Sequence, residues 1–228
     1  MAKSYNKVVM TGDIDGPTPV LITEGGLFDL VPVTPQAIRY LQGPRKQVQV
    51  SGHFARRRVE DGDKSFYRTE ILATEFGSKK GPLPVNFVEV GGHLGREPHI
   101  AYPADGDEPV VSLAVATNDA RPDQKNPGKW LPETTWHKAV AKGEDALQAV
   151  QELKKGSFVR LQGELRQRRG RHGSVVELQV HAINGRDLLD PAVREEQFQK
   201  LLAQVHEGRQ ENLPLPIEEP EIILVNLN

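Results

Sequence analysis

The chain has 228 residues, 37% of them hydrophobic and 26% charged, with 21 Gly and 17 Pro; at roughly 100 to 200 residues per domain, this length allows one large domain or two small ones. With no Cys, a disulfide framework, a thiolate nucleophile, Cys-ligated zinc and Cys-held iron–sulfur clusters are excluded. The formal net charge of −2 argues against a strongly basic nucleic-acid binder, but it averages two different regions: residues 188–228 carry three basic and eight acidic side chains, leaving 26 basic against 23 acidic in residues 1–187. No 18 consecutive apolar residues occur, so a cytoplasmic protein without membrane association is expected.

Most apolar runs are short, rich in Val, Ile and Leu, and closed by Gly or Pro, the pattern of strands joined by turns. Asn6-Lys7-Val8-Val9-Met10 ends at Thr11-Gly12, and Asn86-Phe87-Val88-Glu89-Val90 ends at Gly91-Gly92; the two segments match at Asn6/Asn86, Val8/Val88 and Gly12/Gly92, 80 positions apart. Gln47-Val48-Gln49-Val50-Ser51-Gly52 matches Phe158-Val159-Arg160-Leu161-Gln162-Gly163 at an offset of 111, and Arg57 and Arg58 then fall on Arg168 and Arg169. The pattern is that of a duplication whose second copy holds about 31 extra residues between its two anchor glycines.

A linker is expected at 78–84, where Gly, Pro and charge interrupt the strand pattern, separating residues 1–77 from 85–187. In the second copy, Glu144 to Lys155 places Ala146, Leu147, Val150 and Leu153 on one helical face, with Gly156 in the position after the helix. Residues 188–228 read as a further segment: Asp190 can cap a helix with Pro191 at its first position, and Val193, Phe198, Leu201, Leu202 and Val205 form an amphipathic stripe. An acidic, Pro-rich stretch then leads to Ile222-Ile223-Leu224-Val225. This tail either packs on its own body or offers a strand to a partner.

Five short strands with a helix between the third and fourth, and Gly at the bends, suit a small Greek-key barrel of the OB type, although periodicity alone does not separate it from other small barrels. Residues 85–187 carry a more specific run: Leu94-Gly95-Arg96-Glu97-Pro98, Val110 to Thr117, Thr134-Thr135-Trp136-His137-Lys138-Ala139-Val140, and Leu153 to Leu165. In this order and at nearly this spacing, the set resembles the bacterial single-stranded-DNA-binding protein family. The resemblance implies an OB fold, assembly into a four-barrel unit and sequence-independent binding of single-stranded DNA without catalysis. The first copy resembles the same family weakly, since it lacks the Trp-His pair, and is expected to be a degenerate second barrel. The expected fold is therefore all-β with minor α: two tandem OB barrels plus a C-terminal amphipathic helix. A homodimer would supply the four barrels.

Such binding needs positive charge for phosphates and flat side chains for bases. Arg166, Arg168, Arg169 and Arg171 fall in the hairpin joining the last two strands of the second copy, and Arg56, Arg57, Arg58 and Arg68 in its counterpart; they clamp phosphate or else form solvated hairpins paired with nearby acids. Trp136 matches a family position that stacks on bases, with Lys138 on the same strand face, though an aromatic in an alternating strand can also be core. His137 should face the opposite way, into packing. Trp130, in the loop from Asp119 to Pro132, is a second stacking candidate or an interface residue, and Lys142 and Arg160 complete the candidate set. Where the family commonly places another aromatic, this chain has Lys142-Gly143, and its tail lacks the family's terminal Pro-Phe. Charge substituted for stacking implies weaker affinity per base and a steeper salt dependence.

The seven His show no metal-ligand spacing, the glycines of Val90 to Gly95 lack the Gly-Lys-Ser/Thr ending of a phosphate loop, and no Gly-x-Ser-x-Gly elbow occurs, so neither enzyme activity, metal nor cofactor is expected. Three readings stand: a dimeric tandem-barrel protein coating single-stranded DNA in replication, recombination or repair, nucleoid-associated and contacting replication or repair proteins through its tail; a paralogue acting mainly as a replication-restart accessory module with weak DNA binding; and an unrelated role for a barrel dimer. Exposure of Trp130 and Trp136 discriminates between the first two.

Overall fold

Among the described residues, twelve strands and two short helices form a sheet that closes on itself twice. The computed structural model describes residues 3–15, 19–41, 45–61, 64–78, 85–103, 108–122, 126, 128–170 and 173–188. In the first half, β1 (Tyr5–Asp15), β2 (Val20–Thr23), β3 (Gly26–Pro32), β4 (Arg45–Asp61) and β5 (Lys64–Ser78) pair in the closed order β1-β2-β3-β5-β4-β1, with β3 and β5 parallel and the other pairs antiparallel. In the second half, β6 (Asn86–Leu94), β8 (Val110–Pro122), β9 (Trp130–Lys142), β10 (Phe158–Gly170) and β11 (Gly173–Ile183) repeat that order as β6-β8-β9-β11-β10-β6, with β9 and β11 parallel. The short β7 (His99–Ala101) adds to the outer edge of β8, and β12 (Arg186–Asp187) to β11. Both closures have the OB connectivity, each with its helix between the third and fourth strands: α1 (Pro35–Tyr40) and α2 (Glu144–Val150).

The matched residues of the two copies explain why the chain closes this way. Each strand alternates inward apolar with outward polar side chains, so Val8, Met10, Val48, Val50 and Ile71 fill one barrel and Val88, Val90, Val159, Leu161 and Leu178 the other, all at 0–1% exposure. Gly12 and Gly92 sit where the first strand crosses the second; a Cβ on either would run into the carbonyl oxygen of Ile22 or Ala116 respectively. Gly52 and Gly163 do the same for the fourth and fifth strands against Leu72 and Gln179, and both lie at bulges. Asn6 and Asn86 span the first and fourth strands: Asn86 Nδ2 donates to Leu165 O at 2.8 Å and Leu165 N donates to Asn86 Oδ1 at 3.0 Å, while Asn6 makes the same pair of bonds with Phe54. Phe54 and Leu165 are themselves 111 positions apart, so both offsets read from the sequence are realised in one hydrogen-bond motif.

The extra length of the second copy goes chiefly into its second and third strands, which run from Val110 to Lys142 where the first barrel needs only Val20 to Pro32, and into the segment holding β7. One local expectation is corrected. The helix expected over 144–155 stops at Val150: Leu153 N donates to Val150 O, Lys154 N bonds Ser157 Oγ, and Gly156 with φ +87° closes that second turn, while Leu147 and Leu153 still pack on the core. The first copy has its own helix, α1, which its short apolar pattern does not announce; Thr34 Oγ1 caps it by accepting from Ala37 N, with Pro35 at its first position. The expected linker, except Ser78, and the C-terminal helix and tail lie outside the described residues. Among the described residues, no helix is long and apolar enough to cross a membrane.

Candidate nucleic-acid interface

The outer face of β7, β8 and β9 carries the most direct arrangement for stacking. Along β9 the inward residues Thr135, His137, Ala139 and Ala141 are buried, which turns Trp136, Lys138, Val140 and Lys142 outward. Trp136 is 50% exposed although it lies mid-strand. Its six-membered ring abuts Gly95 through the Cζ3–Cη2 edge, which any Cβ at that position would run into, so Gly95 makes room for the indole beside the backbone. The facing residues of β8 are small: Ala116 lies opposite Trp136, Ala114 opposite Lys138 and Ser112 opposite Val140. They leave a shallow floor between β9 and the segment 95–103, from which Tyr102 projects at 72% exposure. Tyr102 was missed in the sequence; the available signal was an aromatic before Pro103 in a Gly- and Asp-rich connection.

His137 faces inward, as its alternation with Trp136 requires. Its ring lies 4.4 Å from that of Phe54 on β4, its Nε2 is 2.7 Å from Thr117 Oγ1, and its Nδ1 has no hydrogen-bond partner. At 2% exposure, burial drives its pKa down to about 3, so the ring is neutral at physiological pH and serves the junction between the two barrels.

The cations fall into separate groups. Lys138 reaches Glu177 on the adjoining β11 at 3.2 Å, and Arg168 Nε donates to the other oxygen of Glu177 at 2.7 Å. Arg166 Nε donates to Glu164 at 2.6 Å, and His181 lies 3.7 Å from the same carboxylate. Lys142 stands exposed at the end of β9, opposite Val110. Arg160 lies elsewhere, at the start of β10 opposite Gly91, 3.9 Å from Glu89, whose carboxylate also accepts from Tyr5 OH. Arg169 is paired with Ser174 in the β10–β11 hairpin, but its side chain and all of Arg171 lie outside the described residues. Trp130 is not in a loop, because β8 extends to Pro122 and β9 begins at Trp130; its side chain also lies outside the described residues.

The first barrel presents a different face at the equivalent strands. Ile71 pairs with Leu30 as Leu178 pairs with Ala139, which makes Leu27 the counterpart of Trp136 and Asp29 that of Lys138. Asp29 is engaged by Arg68 at 2.5 Å, and Ile22 and Leu27 are exposed. An apolar and acidic strand thus replaces the indole and ammonium. Arg56 is exposed on β4 opposite Thr69; Arg57 and Arg58 lie opposite Arg68 and Tyr67 with their side chains outside the described residues. Among the described residues no group of three or more His, Asp or Glu is placed to hold a metal ion.

Residues 85–186 match the model of the single-strand binding protein family. The fold of the chain is similar to the crystal structure of wild-type single-stranded DNA binding protein from Thermus aquaticus, at 19% identity and a TM-score of 0.59 over 83% of this chain and 96% of that one. A deletion mutant of the Thermus aquaticus protein gives 19% identity and a TM-score of 0.60, over 83% of this chain and 98% of that one. These two likenesses extend the shared fold across both barrels, while the match to the single-strand binding protein family covers residues 85–186.

Proposed function

We propose that this protein binds single-stranded DNA without sequence preference, on the outer face of β8 and β9 of its second barrel. The observation that carries the reading is Trp136, an indole half exposed in the middle of a strand, its edge accommodated by Gly95 and with Lys138 next on the same face, within the region that matches the family. Base stacking on an open ring is indifferent to base identity, because every base has a π-face, and nearby ammonium and guanidinium groups supply phosphate contacts. Lys142, Tyr102 and the arginines of the β10–β11 hairpin extend the surface, and Trp130 is a further stacking candidate at the start of β9. The first barrel, with Leu27 and Asp29 at the matching positions, serves assembly more than stacking on this strand face; Arg56, Arg57, Arg58 and Arg68 on its own hairpin offer phosphate contacts.

In this reading the protein works as a homodimer presenting four barrels, in replication, recombination or repair, without catalysis, and its acidic tail contacts protein partners. Titration with an unstructured oligothymidine while following Trp fluorescence, in the parent and in Trp130→Phe, tests the reading. Saturable quenching in both, weakening steeply with salt, is expected; no quenching at low salt together with no mobility shift overturns it. A second reading, an accessory module acting mainly through protein contacts, is favoured by the pairing of Lys138, Arg166 and Arg168 with carboxylates. It predicts binding detectable only at low salt.

A further inference from the structure

Glu177 occupies an unusual place for a carboxylate on a surface that would attract phosphates. It lies on β11 between β9 and β10, with its side chain only 13% exposed. Lys138 approaches from one side at 3.2 Å and Arg168 from the other at 2.7 Å. The bond from Arg168 Nε engages Oε1, whereas Oε2 is buried and makes no hydrogen bond, so Lys138 holds it by charge alone. On the adjoining β10, Arg166, directly opposite Glu177, donates instead to Glu164 of its own strand. Lys138, Arg168 and Arg166 are therefore already neutralised by internal carboxylates.

From this arrangement we infer that Glu177 is a built-in competitor for the phosphate backbone, occupying Lys138 and Arg168 until a nucleic-acid phosphate displaces it. The inference rests on the proposed single-strand binding and deepens it. An ammonium and a guanidinium each bind phosphate and carboxylate by the same charge-assisted geometry, so the two anions exclude one another at these groups. Each partly exposed ion pair that must open subtracts from affinity, and the subtraction shrinks as salt screens the pair. The protein then binds loosely enough for a strand to be handed on, and its affinity is set by an exchange of anions rather than by the number of cations.

The test uses the full chain and a labelled oligothymidine, with anisotropy as a readout independent of Trp. Glu177→Gln is expected to tighten binding roughly 3- to 10-fold at about 50 mM salt, with a steeper fall of affinity as salt rises, as expected from releasing two pairs of ordinary strength. Glu152→Gln, an exposed site beyond α2 with the same change in net charge, controls for bulk charge and is expected to change affinity less than about twofold. In a Lys138→Met/Arg168→Met background the gain from Glu177→Gln should fall to the level of that control. If Glu177→Gln folds poorly by circular dichroism, Glu177→Asp, which keeps the charge but draws it back from both cations, is expected to tighten binding in the same direction. Equal or weaker binding by the folded variant, or a gain that persists without Lys138 and Arg168, overturns the inference while leaving the binding reading intact. Absence of binding by the parent overturns that reading and the inference with it.

Discussion

Val8 of β1 pairs directly with Val88 of β6, and these are the two residues that the 80-position offset makes equivalent. The ladder runs symmetrically outward from them, Lys7 against Glu89 and Val9 against Phe87, so a local two-fold axis passes between the two valines, both fully buried. The barrels thus meet as two copies of one subunit would meet in a symmetric dimer, with antiparallel first strands forming a continuous sheet. Across the same junction β3 leans on β10 through Gln167, whose Oε1 accepts from Leu27 N, and β9 leans on β4 through His137 and Phe54.

The repeated asparagines make a stability prediction. Asn86→Ala removes both bonds to Leu165 and leaves a partly buried N–H and C=O unpaired, for a loss of about 1–3 kcal/mol in urea unfolding. Asn6→Ala should cost a similar amount through Phe54.

The anchor glycines make a sharper one. In Gly163→Ala the new methyl would meet the Gln179 carbonyl, so the strand crossing must open, with a loss of about 1–3 kcal/mol or failure to fold. Gly77→Ala, with nothing within 4 Å of the added carbon, should leave the thermal midpoint nearly unchanged.

His137 predicts how stability depends on pH. Its folded pKa of about 3 lies below its value of 6.5 in the unfolded chain, so between these values the unfolded state binds the extra proton. Stability from this group is complete above about pH 6.5 and falls by up to about 1.4 kcal/mol per pH unit as acid is added toward pH 3. His137→Gln, which cannot titrate, should show a smaller loss between about pH 7 and pH 4.5 in urea titrations; an undiminished loss would assign the acid sensitivity to other groups.

Trp136 carries the binding prediction. Trp136→Ala is expected to weaken oligothymidine binding by about 1–3 kcal/mol, close to the contribution of one stacked base, and Trp136→Phe by less. Leu27→Ala, at the equivalent position of the first barrel, should have little effect on affinity.

The proposed homodimer is tested by mass: light scattering of the purified chain should give about twice 25.3 kDa, independent of added DNA. A monomer mass at micromolar concentration would refute it.

The duplication was legible in the sequence because its anchors are steric and local: an Asn able to bond two backbone groups and a Gly where two strands cross are required by the barrel wherever it occurs. The alternation of Val with polar residues likewise settled which side of each strand is core, and so placed Trp136 and Lys138 outside and His137 inside. What single-strand patterns do not encode is pairing across strands. Which carboxylate faces which cation depends on register between β9, β10 and β11, residues far apart in the chain, so neither the neutralisation of Lys138 and Arg168 by Glu177 nor the separation of Arg160 from that face could be read before folding. The extent of α2 was misread for a related reason, since Leu153 keeps helical spacing with Val150 while tertiary contacts favour a turn. The amino-acid sequence by itself determined two barrels and which side of β9 faces outward; tertiary structure decided which charges on that face are already occupied, because ion pairing is set by distance in space and strand alternation by distance along the chain.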